Sequence, residues 1–313
     1  MHPEPDSPRR LLVTGASGFI GRHLIASGPQ LARELGITVV AASADADLRD
    51  PVVAQRLMDD SAPDCVAHLA ALSFVPDSFA RPWDTFEVNL RGTLNLLEAA
   101  SRRSLAGPFL FISTADVYGV VAEQELPLCE DRRFTPRSPY GVTKAAGEIL
   151  CLQHAATSKL DVRIARPFNI IGPGQDSRFA VSSFARQIAQ LERSTESKIH
   201  VGNLDVTRDF VDVRDAVAAF MAILRAGRCG EAYNVCSGRE TILRTLLERL
   251  VSRAHKAIEI VVEPARVRPA EQRRVVGSFE KLRQHTGWEP AVELDATLDD
   301  VLEQWRATEA GIR

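Results

Sequence analysis

The sequence predicts an α/β fold in which a doubly wound parallel sheet is joined by a smaller C-terminal lobe. Three observations support this prediction. Short apolar strands alternate with helical patterns in the first half, and a glycine-rich loop follows the first strand. After about residue 170 this regular alternation gives way to a mixture of helices and short strands. The 313 residues are enough for one large α/β domain, or for two smaller domains with cores of their own.

The strand signal comes from short runs that are apolar throughout. They are Leu11–Thr14, Ile37–Ala42, Cys65–Leu69, Phe109–Ser113 and Asp161–Arg166. Runs of this kind are typical of parallel strands that are covered by helices on both faces of the sheet. Between them, helical spacing of apolar residues predicts helices at Asp84–Ser101 and Tyr140–Ala156.

The glycine loop Gly15–Gly21 follows the first predicted strand and opens a helix. Glycine permits a tight turn and close approach of the backbone to a pyrophosphate, and the helix N-terminus offers free N–H groups. The spacing here is G-x-x-G-x-x-G, so the loop alone is weak evidence, and a glycine-rich tight turn is the alternative. Together with the strand pattern it predicts a Rossmann-type sheet.

The end of the second predicted strand bears on the choice of dinucleotide. Ala42 and Ser43 stand where an acidic residue usually binds the ribose, which leaves space for a 2′-phosphate and favours NADP(H) over NAD(H). Arg22 is a candidate for that phosphate, although a solvated helix arginine is an equal alternative. Asp45 or Asp47 is a candidate for contact with the adenosine.

Gly172-Pro173-Gly174, a cluster of residues that interrupt helices and strands, marks the point where the alternating strand and helix pattern ends. We therefore predict a dinucleotide-binding domain at residues 1–170, to which elements return from about residues 205–238. Residues 171–313 are predicted to form mainly a substrate-binding lobe. A cleft between two such parts is a common place for a ligand.

Composition narrows the classes of function. The net charge of −3 argues against a broad nucleic-acid surface, and no apolar run reaches the length of a membrane span. The five cysteines include no C-x-x-C pair and the seven histidines do not cluster, so we expect reduced cytosolic thiols and no metal site. We expect a cytoplasmic protein that binds neither nucleic acid nor membrane.

Tyr140 and Lys144 are four residues apart in the segment Tyr140-Gly141-Val142-Thr143-Lys144, which puts both on one face of a helix. A nearby ammonium group is expected to lower the pKa of a phenol and so prepare it for acid–base work. The segment Ser113–Gly119 (STADVYG) adds Thr114 just after a predicted strand, at the sheet edge where α/β proteins bind ligands. Hydroxyl, phenol and amine together predict an enzyme site.

These motifs, with HLAA at His68–Ala71 and RPFNIIGPG at Arg166–Gly174, resemble the extended short-chain dehydrogenase/reductase superfamily. VGNLDVTRDFVDVRD at Val201–Asp215, YNVCSG and TGWEP further resemble its GDP-6-deoxy-4-keto-D-mannose reductase branch, which forms GDP-D-rhamnose and is akin to the GDP-mannose 4,6-dehydratases. The resemblance implies NAD(P)H-dependent reduction of the C4 ketone of a GDP-linked sugar.

The resemblance also implies roles for individual residues. Thr114, Tyr140 and Lys144 match the catalytic hydroxyl–Tyr–Lys triad. The residues that match cofactor-binding positions, Tyr140 and Lys144 among them, are Gly15, Gly18, Phe19, Ile20, Gly21, Arg22, Asp47, Leu48, Leu69, Ala70, Ala71, Asn89 and Pro167. The candidates for substrate binding are Ser73, Asn169, Arg186, Gly202, Asn203, Arg208, Arg268 and Glu271. A surface ion pair is the alternative for each arginine.

Asp116 leaves two interpretations open. Dehydratase relatives carry an acidic group two residues before the tyrosine of the STxxxYG segment, and Asp116 occupies that position while Ala115 stands at the earlier one. Asp116 either positions the sugar or acts as a base. A 4,6-dehydratase or epimerase is therefore the first alternative function, and a non-catalytic dinucleotide-sensing protein is the second.

Two amphipathic helices are candidates for a homodimer contact. Asp84–Ser101 carries an apolar stripe, with Val88 and Leu96 outside it; the stripe residues are Phe86, Leu90, Leu94 and Leu97. The additional apolar surface fits either ordinary core packing or a partner helix.

Overall fold

The principal sheet of the computed structural model, which describes residues 9–263 and 272–311, is parallel throughout. Its strand order is β2-β1-β3-β4-β5-β9. The strands are β1 (Arg9–Thr14), β2 (Ile37–Ala41), β3 (Cys65–His68), β4 (Phe109–Ile112), β5 (Val162–Pro167) and β9 (Ala232–Val235). The predicted apolar runs match β1 to β5 to within two residues at each end, and β9 adds a strand from later in the chain.

Helices cover both faces of this sheet. Successive strand residues point to opposite sides, and apolar side chains on both sides have to be buried. In β1, Leu11 and Val13 join one apolar core while Leu12 joins the other. The first face is covered by α1 (Phe19–Ala26), α2 (Gly28–Leu35), α9 (Val213–Ala226) and α11 (Glu280–Thr286). The second is covered by α3 (Pro51–Ser61), α6 (Gly92–Arg102) and α7 (Pro139–Ser158). The predicted doubly wound fold is confirmed.

A further apolar core, separate from those on the two faces of the main sheet, lies among elements from residue 169 onward. It packs α8 (Ala180–Leu191), α10 (Leu243–Ser252) and α12 (Leu294–Gly311) against small sheets. The sheets are β10-β8-β6 and β11-β7, built from β6 (Asn169–Ile171), β7 (Lys198–Val201), β8 (Thr207–Asp212), β10 (Glu240–Ile242) and β11 (Glu259–Val262). The division into domains at residue 170 stays a prediction.

The segment predicted as one helix at Asp84–Ser101 is interrupted. It follows α4 (Val75–Ala80) and consists of α5 (Pro82–Phe86), a π-helical turn at Glu87–Arg91, and α6. A π-helical turn adds a residue to the helix and rotates everything after it. As a result Asn89, Thr93 and Leu96 face the interior, whereas Leu94 of the predicted stripe is 37% exposed. The predicted stripe is therefore wrong at Leu94, because it assumed an uninterrupted α-helical period, whereas its member Leu97 is fully buried.

Strands β2 and β3 lie on opposite sides of β1, so the direction of the chain across the sheet reverses there. At such a point the loops that follow two adjacent strands separate and leave a crevice at the carboxyl ends. The loops are Gly15–Gly18 after β1 and Leu69–Ser73 after β3. Within the described residues, no helix is both long enough and apolar enough to cross a membrane.

Candidate active site

The glycine loop is closely packed against the chain that follows β3. A Cβ atom on Gly15, whose φ is +68°, would lie 2.7 Å from the Ala70 nitrogen. A Cβ atom on Gly21 would lie 2.2 Å from the Gly15 carbonyl oxygen. Only glycine fits at these two positions, since each contact is with backbone that cannot move aside.

The same loop offers unfilled hydrogen-bond donors. Helix α1 begins at Phe19, its N-cap residue Gly18 provides no side-chain cap, and its first turn holds no acidic residue. The first N–H groups of a helix and its dipole attract anions. The loop therefore fits the pyrophosphate of a dinucleotide, and Phe19 and Ile20 are half-buried where their amides would serve it.

Arg22 connects this loop to the second part of the chain. Its guanidinium donates to the Ser17 carbonyl at 3.1 Å and to the Gly174 carbonyl at 2.8 Å. His23 donates in the same direction, from Nε2 to the Pro173 carbonyl at 2.8 Å. The role of Arg22 at a 2′-phosphate stays a prediction, because its contacts here are with carbonyl oxygens.

The segment after β2 places the predicted adenosine contacts. The Asp47 carboxylate forms an ion pair with Arg49 at 2.7 Å, and the hydrogen bonds from Arg49 lower the Asp47 pKa to about 2. Leu48 is buried, and a Cβ atom on Gly92 would come within 3.4 Å of its side chain. An ionised carboxylate and an apolar side chain thus lie side by side near the carboxyl end of β2.

Thr114, Tyr140 and Lys144 come together at the carboxyl end of β4. Helix α7 begins beside Ser138, whose hydroxyl accepts from the Gly141 amide at 3.0 Å and caps the first turn. The Thr114 hydroxyl faces the Tyr140 phenol and lowers its pKa. Lys144 is 4% exposed and donates from Nζ to the Ile112 carbonyl at 2.7 Å. The structure thus brings together the three side chains that the sequence motifs predicted.

The charges around Tyr140 differ from the expectation. Burial and the Asp116 carboxylate raise the Tyr140 pKa above its usual value, and the Thr114 hydrogen bond opposes them. The Lys144 Nζ is directed to a backbone carbonyl, and Lys144 is not among the groups that shift the Tyr140 pKa. The net shift of the Tyr140 pKa is upward, whereas the sequence predicted a lowered value. A phenol with a raised pKa keeps its proton at neutral pH.

Asp116 lies in the short turn that directly follows Thr114. Its side chain is reached by solvent, but the protein around it raises its pKa, and the Arg208 cation opposes that rise. Its amide donates to the Thr114 hydroxyl at 3.2 Å, within a 3₁₀ turn at Ala115–Tyr118. Asp116 therefore interacts electrostatically with both Tyr140 and Arg208, which lie far from it in sequence.

The predicted substrate residues are less uniformly placed. Ser73 and Asn169 are exposed, the second at the start of β6. Arg208 donates to the Thr207 carbonyl at 2.7 Å and to the Gln272 carbonyl at 2.9 Å. Ser73 lines a cavity of about 160 Å³ together with Arg178 and others.

Other predicted positions lie near the cleft or away from it. Pro167 is buried where β5 pairs with β9, and Asn203 accepts from the Asp205 amide at 3.0 Å beside Gly202. Arg186 forms an ion pair with Glu309 of the C-terminal helix at 3.1 Å. Arg268 and Glu271 lie outside the described residues.

A buried ion pair behind the triad was missed by sequence reasoning. Glu148 is fully buried on α7, one turn after Lys144, and its carboxylate receives three hydrogen bonds of 2.7 to 3.1 Å from the Arg166 guanidinium. The Ser113 hydroxyl donates to the same carboxylate, and Tyr118 accepts from Arg166 at 2.9 Å. The spacing of Lys144 and Glu148, four residues apart on a helix, was the available signal.

Comparison with known proteins agrees with this geometry. A GDP-6-deoxy-D-mannose reductase of Pseudomonas aeruginosa is 44% identical over 300 residues, which cover 96% of this chain and 98% of the relative. A GDP-6-deoxy-D-talose 4-dehydrogenase of Aggregatibacter actinomycetemcomitans is 29% identical, with coverage of 87% and 90%.

Solved structures show the same fold. The structure of RMD from Pseudomonas aeruginosa complexed with NADPH matches with a TM-score of 0.90 and 43% identity, over 96% of this chain and 99% of that one. A Thermus thermophilus UDP-glucose 4-epimerase complex with NAD matches with a TM-score of 0.83 and 31% identity, over 95% and 99%. The family model described as GDP-mannose 4,6 dehydratase matches residues 40–301. The chain therefore belongs to the GDP-mannose 4,6-dehydratase family of extended short-chain dehydrogenases/reductases.

Proposed function

We propose that this protein is an NAD(P)H-dependent oxidoreductase that reduces the C4 ketone of GDP-4-keto-6-deoxy-D-mannose to GDP-D-rhamnose. The observation that carries the proposal is the 44% identity to a GDP-6-deoxy-D-mannose reductase over nearly the whole of both chains. The neutral phenol of Tyr140 supports it, since reduction of a ketone requires a proton donor at the oxygen that becomes the alcohol.

The residues of the chain divide the work as follows. Tyr140 gives its phenolic proton to the carbonyl oxygen, and Thr114 hydrogen-bonds the same oxygen and fixes its position. Lys144, whose Nζ donates to the Ile112 carbonyl, would bind the ribose of the dinucleotide as a cation. A bound reduced dinucleotide would supply the hydride that the carbonyl carbon accepts.

We propose that the substrate enters from the side of Asp116 and Arg208. The Arg208 cation would neutralise part of the diphosphate, and Asn169 would hydrogen-bond it. Asp116 would accept from a sugar hydroxyl. Arg186, Ser73, Gly202 and Asn203 remain proposed substrate contacts.

NADP(H) is the proposed cofactor in preference to NAD(H). The structural relative from Pseudomonas aeruginosa is complexed with NADPH, and Ala42 and Ser43 leave the end of β2 without an acidic side chain. Measured affinities for NADPH and NADH test this preference directly.

The decisive experiment offers GDP-4-keto-6-deoxy-D-mannose with NADPH and follows the absorbance of the reduced cofactor. We expect loss of one NADPH for each sugar converted, and a product identified by NMR as GDP-D-rhamnose. No loss of NADPH would contradict the proposal.

A dehydratase or epimerase is a second candidate, because Asp116 has a raised pKa beside Tyr140 and could exchange a proton with the sugar. In that case GDP-mannose would be dehydrated with no net change in the cofactor. Incubation with GDP-mannose separates the two functions when the sugar is analysed by NMR: a dehydratase forms a 4-keto-6-deoxy sugar without net change in the reduced cofactor, whereas a reductase leaves GDP-mannose unchanged.

We also propose a homodimer in the cytoplasm. Helix α7 exposes Val142, Ile149 and Leu152, and the adjacent segment exposes Trp83 and Leu94. Contiguous apolar surface of this kind is typical of a protein contact, and a second copy of the same helices would cover it. Ile149→Glu is expected to give a monomer in sedimentation analysis.

A further inference from the structure

A buried histidine at the end of β3 connects two parts of the candidate active site. His68 is 1% exposed, and its ring lies 6.0 Å from each of the Phe109 and Phe111 rings. Its Nδ1 lies 2.7 Å from the Thr14 hydroxyl at the end of β1, and its Nε2 lies 2.9 Å from the Thr93 hydroxyl. Both ring nitrogens are therefore occupied by hydroxyl groups.

The direction of each hydrogen bond follows from the partners. The Thr93 hydroxyl donates to the Asn89 carbonyl at 2.6 Å, so its oxygen must accept from His68 Nε2–H. A neutral ring then has a lone pair on Nδ1, and the Thr14 hydroxyl must donate to it. The Thr14 oxygen in turn accepts from the Ala70 amide at 3.3 Å. The Nε2–H tautomer of His68 therefore satisfies every hydrogen bond in this series, from the Ala70 amide to the Asn89 carbonyl.

The chain continues to the catalytic tyrosine. The Asn89 amide oxygen accepts from the Leu72 N–H at 2.7 Å, and its nitrogen donates to the Leu72 carbonyl at 3.0 Å and to the Thr143 hydroxyl at 3.1 Å. The Thr143 hydroxyl donates to the Tyr140 carbonyl at 2.7 Å. The loop after β3, the π-helical turn and the first turn of α7 are thus joined by buried hydrogen bonds.

His68 is built to stay neutral. Burial and the nearby Lys144 cation together lower its pKa to about 3. Its faces are covered by phenylalanine rings and its nitrogens by threonine hydroxyls, so it has no path to a reacting atom. These features exclude a role as general acid or base and leave a role through its neighbours.

We propose that His68 is a positioning residue that keeps the dinucleotide loop and the catalytic helix in register through this one-way chain of hydrogen bonds. On one side of the His68 ring, the Thr14 hydroxyl holds the backbone amide of Ala70, which packs on Gly15. Its Thr93 side fixes the carbonyl of Asn89, which holds Leu72 and Thr143. The inference rests on the proposed function only where turnover is the readout.

The first test needs no substitution and no turnover. ¹⁵N NMR of the histidine rings in the wild-type protein is expected to show Nδ1 unprotonated and Nε2 protonated for His68, with no titration across its usual range. An Nδ1–H tautomer, or a pKa near the ordinary value, would overturn the proposal even if the protein is a reductase.

The second test separates the two sides of the ring with near-isosteric substitutions. Thr14→Val is expected to weaken NADPH binding on the order of tenfold, the usual cost of one buried hydrogen bond, with a smaller effect on kcat. Thr93→Val is expected to lower kcat by a similar factor with a smaller effect on NADPH affinity. Equal changes in both quantities for both variants would indicate general destabilisation and contradict the proposal.

The double variant tests whether His68 transmits the effect. Loss of either hydroxyl frees the ring to adopt the other tautomer, which already interrupts the series of hydrogen bonds. Loss of the second hydroxyl then adds little, so the double variant is expected to lose less than the product of the two single effects. Effects that simply multiply would show independent sites. His154→Asn is the control, because His154 is also buried and hydrogen-bonded to a hydroxyl group, that of Ser101. It takes no part in the series of hydrogen bonds around His68. It should lower stability without separating kcat from NADPH affinity.

Discussion

The dinucleotide-binding half and the C-terminal lobe hold their candidate site residues in different ways. Thr114, Tyr140 and Lys144 are at most 9% exposed, and the side chains of Thr114 and Lys144 are hydrogen-bonded to backbone groups. Arg186, by contrast, has a side chain that is 43% exposed and is paired with a carboxylate of its own lobe. The residues proposed for the reaction are thus preorganised by burial, whereas Arg186, a residue proposed for the substrate, remains accessible.

The largest expected effect is on kcat, when the proposed proton donor is removed from the dinucleotide-binding half. Tyr140→Phe is expected to lower kcat by up to about 10⁴-fold, because the neutral phenol is the proposed acid. NADPH affinity, measured by fluorescence titration, should stay close to wild type. Tyr118→Phe is the control: it removes a buried phenol that bonds Arg166 and Asn234, so it should cost stability but retain most turnover. Equal turnover of the Tyr140 variant and the wild type would remove Tyr140 from the mechanism.

The next effect compares ion pairs of the two regions. Glu148→Gln leaves the Arg166 guanidinium buried without its counter-charge, and we expect the free energy of unfolding to fall by about 3–5 kcal/mol. Asp299→Asn removes an exposed partner of Arg253 in the lobe and should cost less than about 1 kcal/mol. Denaturant unfolding measures both, and similar losses would mean that burial does not distinguish the two pairs.

The sequence predicted the first region better than the second for a physical reason. Gly15, Gly21, Tyr140 and Lys144 act within short segments, so local spacing reveals their geometry. The partners of Arg186, which is paired 123 residues away with Glu309, depend on how distant helices pack. No local pattern encodes that contact.

Two features of the first region also escaped prediction. The π-helical turn at Glu87–Arg91 shifted the buried face of its helix, and a periodicity argument assumes that no such turn is present. Burial and Asp116 raise the pKa of Tyr140, and its spacing from Lys144 reveals neither, so spacing alone predicted the wrong direction. Motifs predicted which residues meet, and packing determined their charge states.

A smaller effect concerns the pH dependence of Lys144. Burial lowers its pKa from 10.5 to about 8, so the amine loses its proton well below the usual range. We expect NADPH affinity to fall by about tenfold per pH unit above pH 8, because the neutral amine is a poorer ligand for the ribose. Lys144→Met should bind NADPH more weakly and show no such fall. An affinity that is flat between pH 7 and pH 9.5 in the wild type would contradict this.

The same shift fixes the sign of a stability effect. Between pH 8 and pH 10.5 the unfolded chain holds the Lys144 proton and the folded chain does not. The contribution of this residue to the free energy of unfolding therefore rises with pH in that window. Burial of the charged form opposes folding below pH 8, so Lys144→Met is expected to be relatively more stable at neutral pH than at pH 10.5. The opposite order in denaturant unfolding would argue against a lowered pKa.

The smallest effect tests whether Arg186 belongs to the substrate site at all. Arg186→Gln removes the guanidinium, and Glu309→Gln keeps the guanidinium but removes its partner at 3.1 Å. Both should change the free energy of unfolding by less than about 1 kcal/mol, since the pair is partly exposed. If Arg186 contacts the diphosphate, Arg186→Gln raises the KM for the GDP-sugar about threefold or more, while Glu309→Gln leaves it equal or lower. Parallel changes in KM would assign Arg186 to the ion pair alone, and the substrate residues of the lobe would then be those around Arg208 and Asn169.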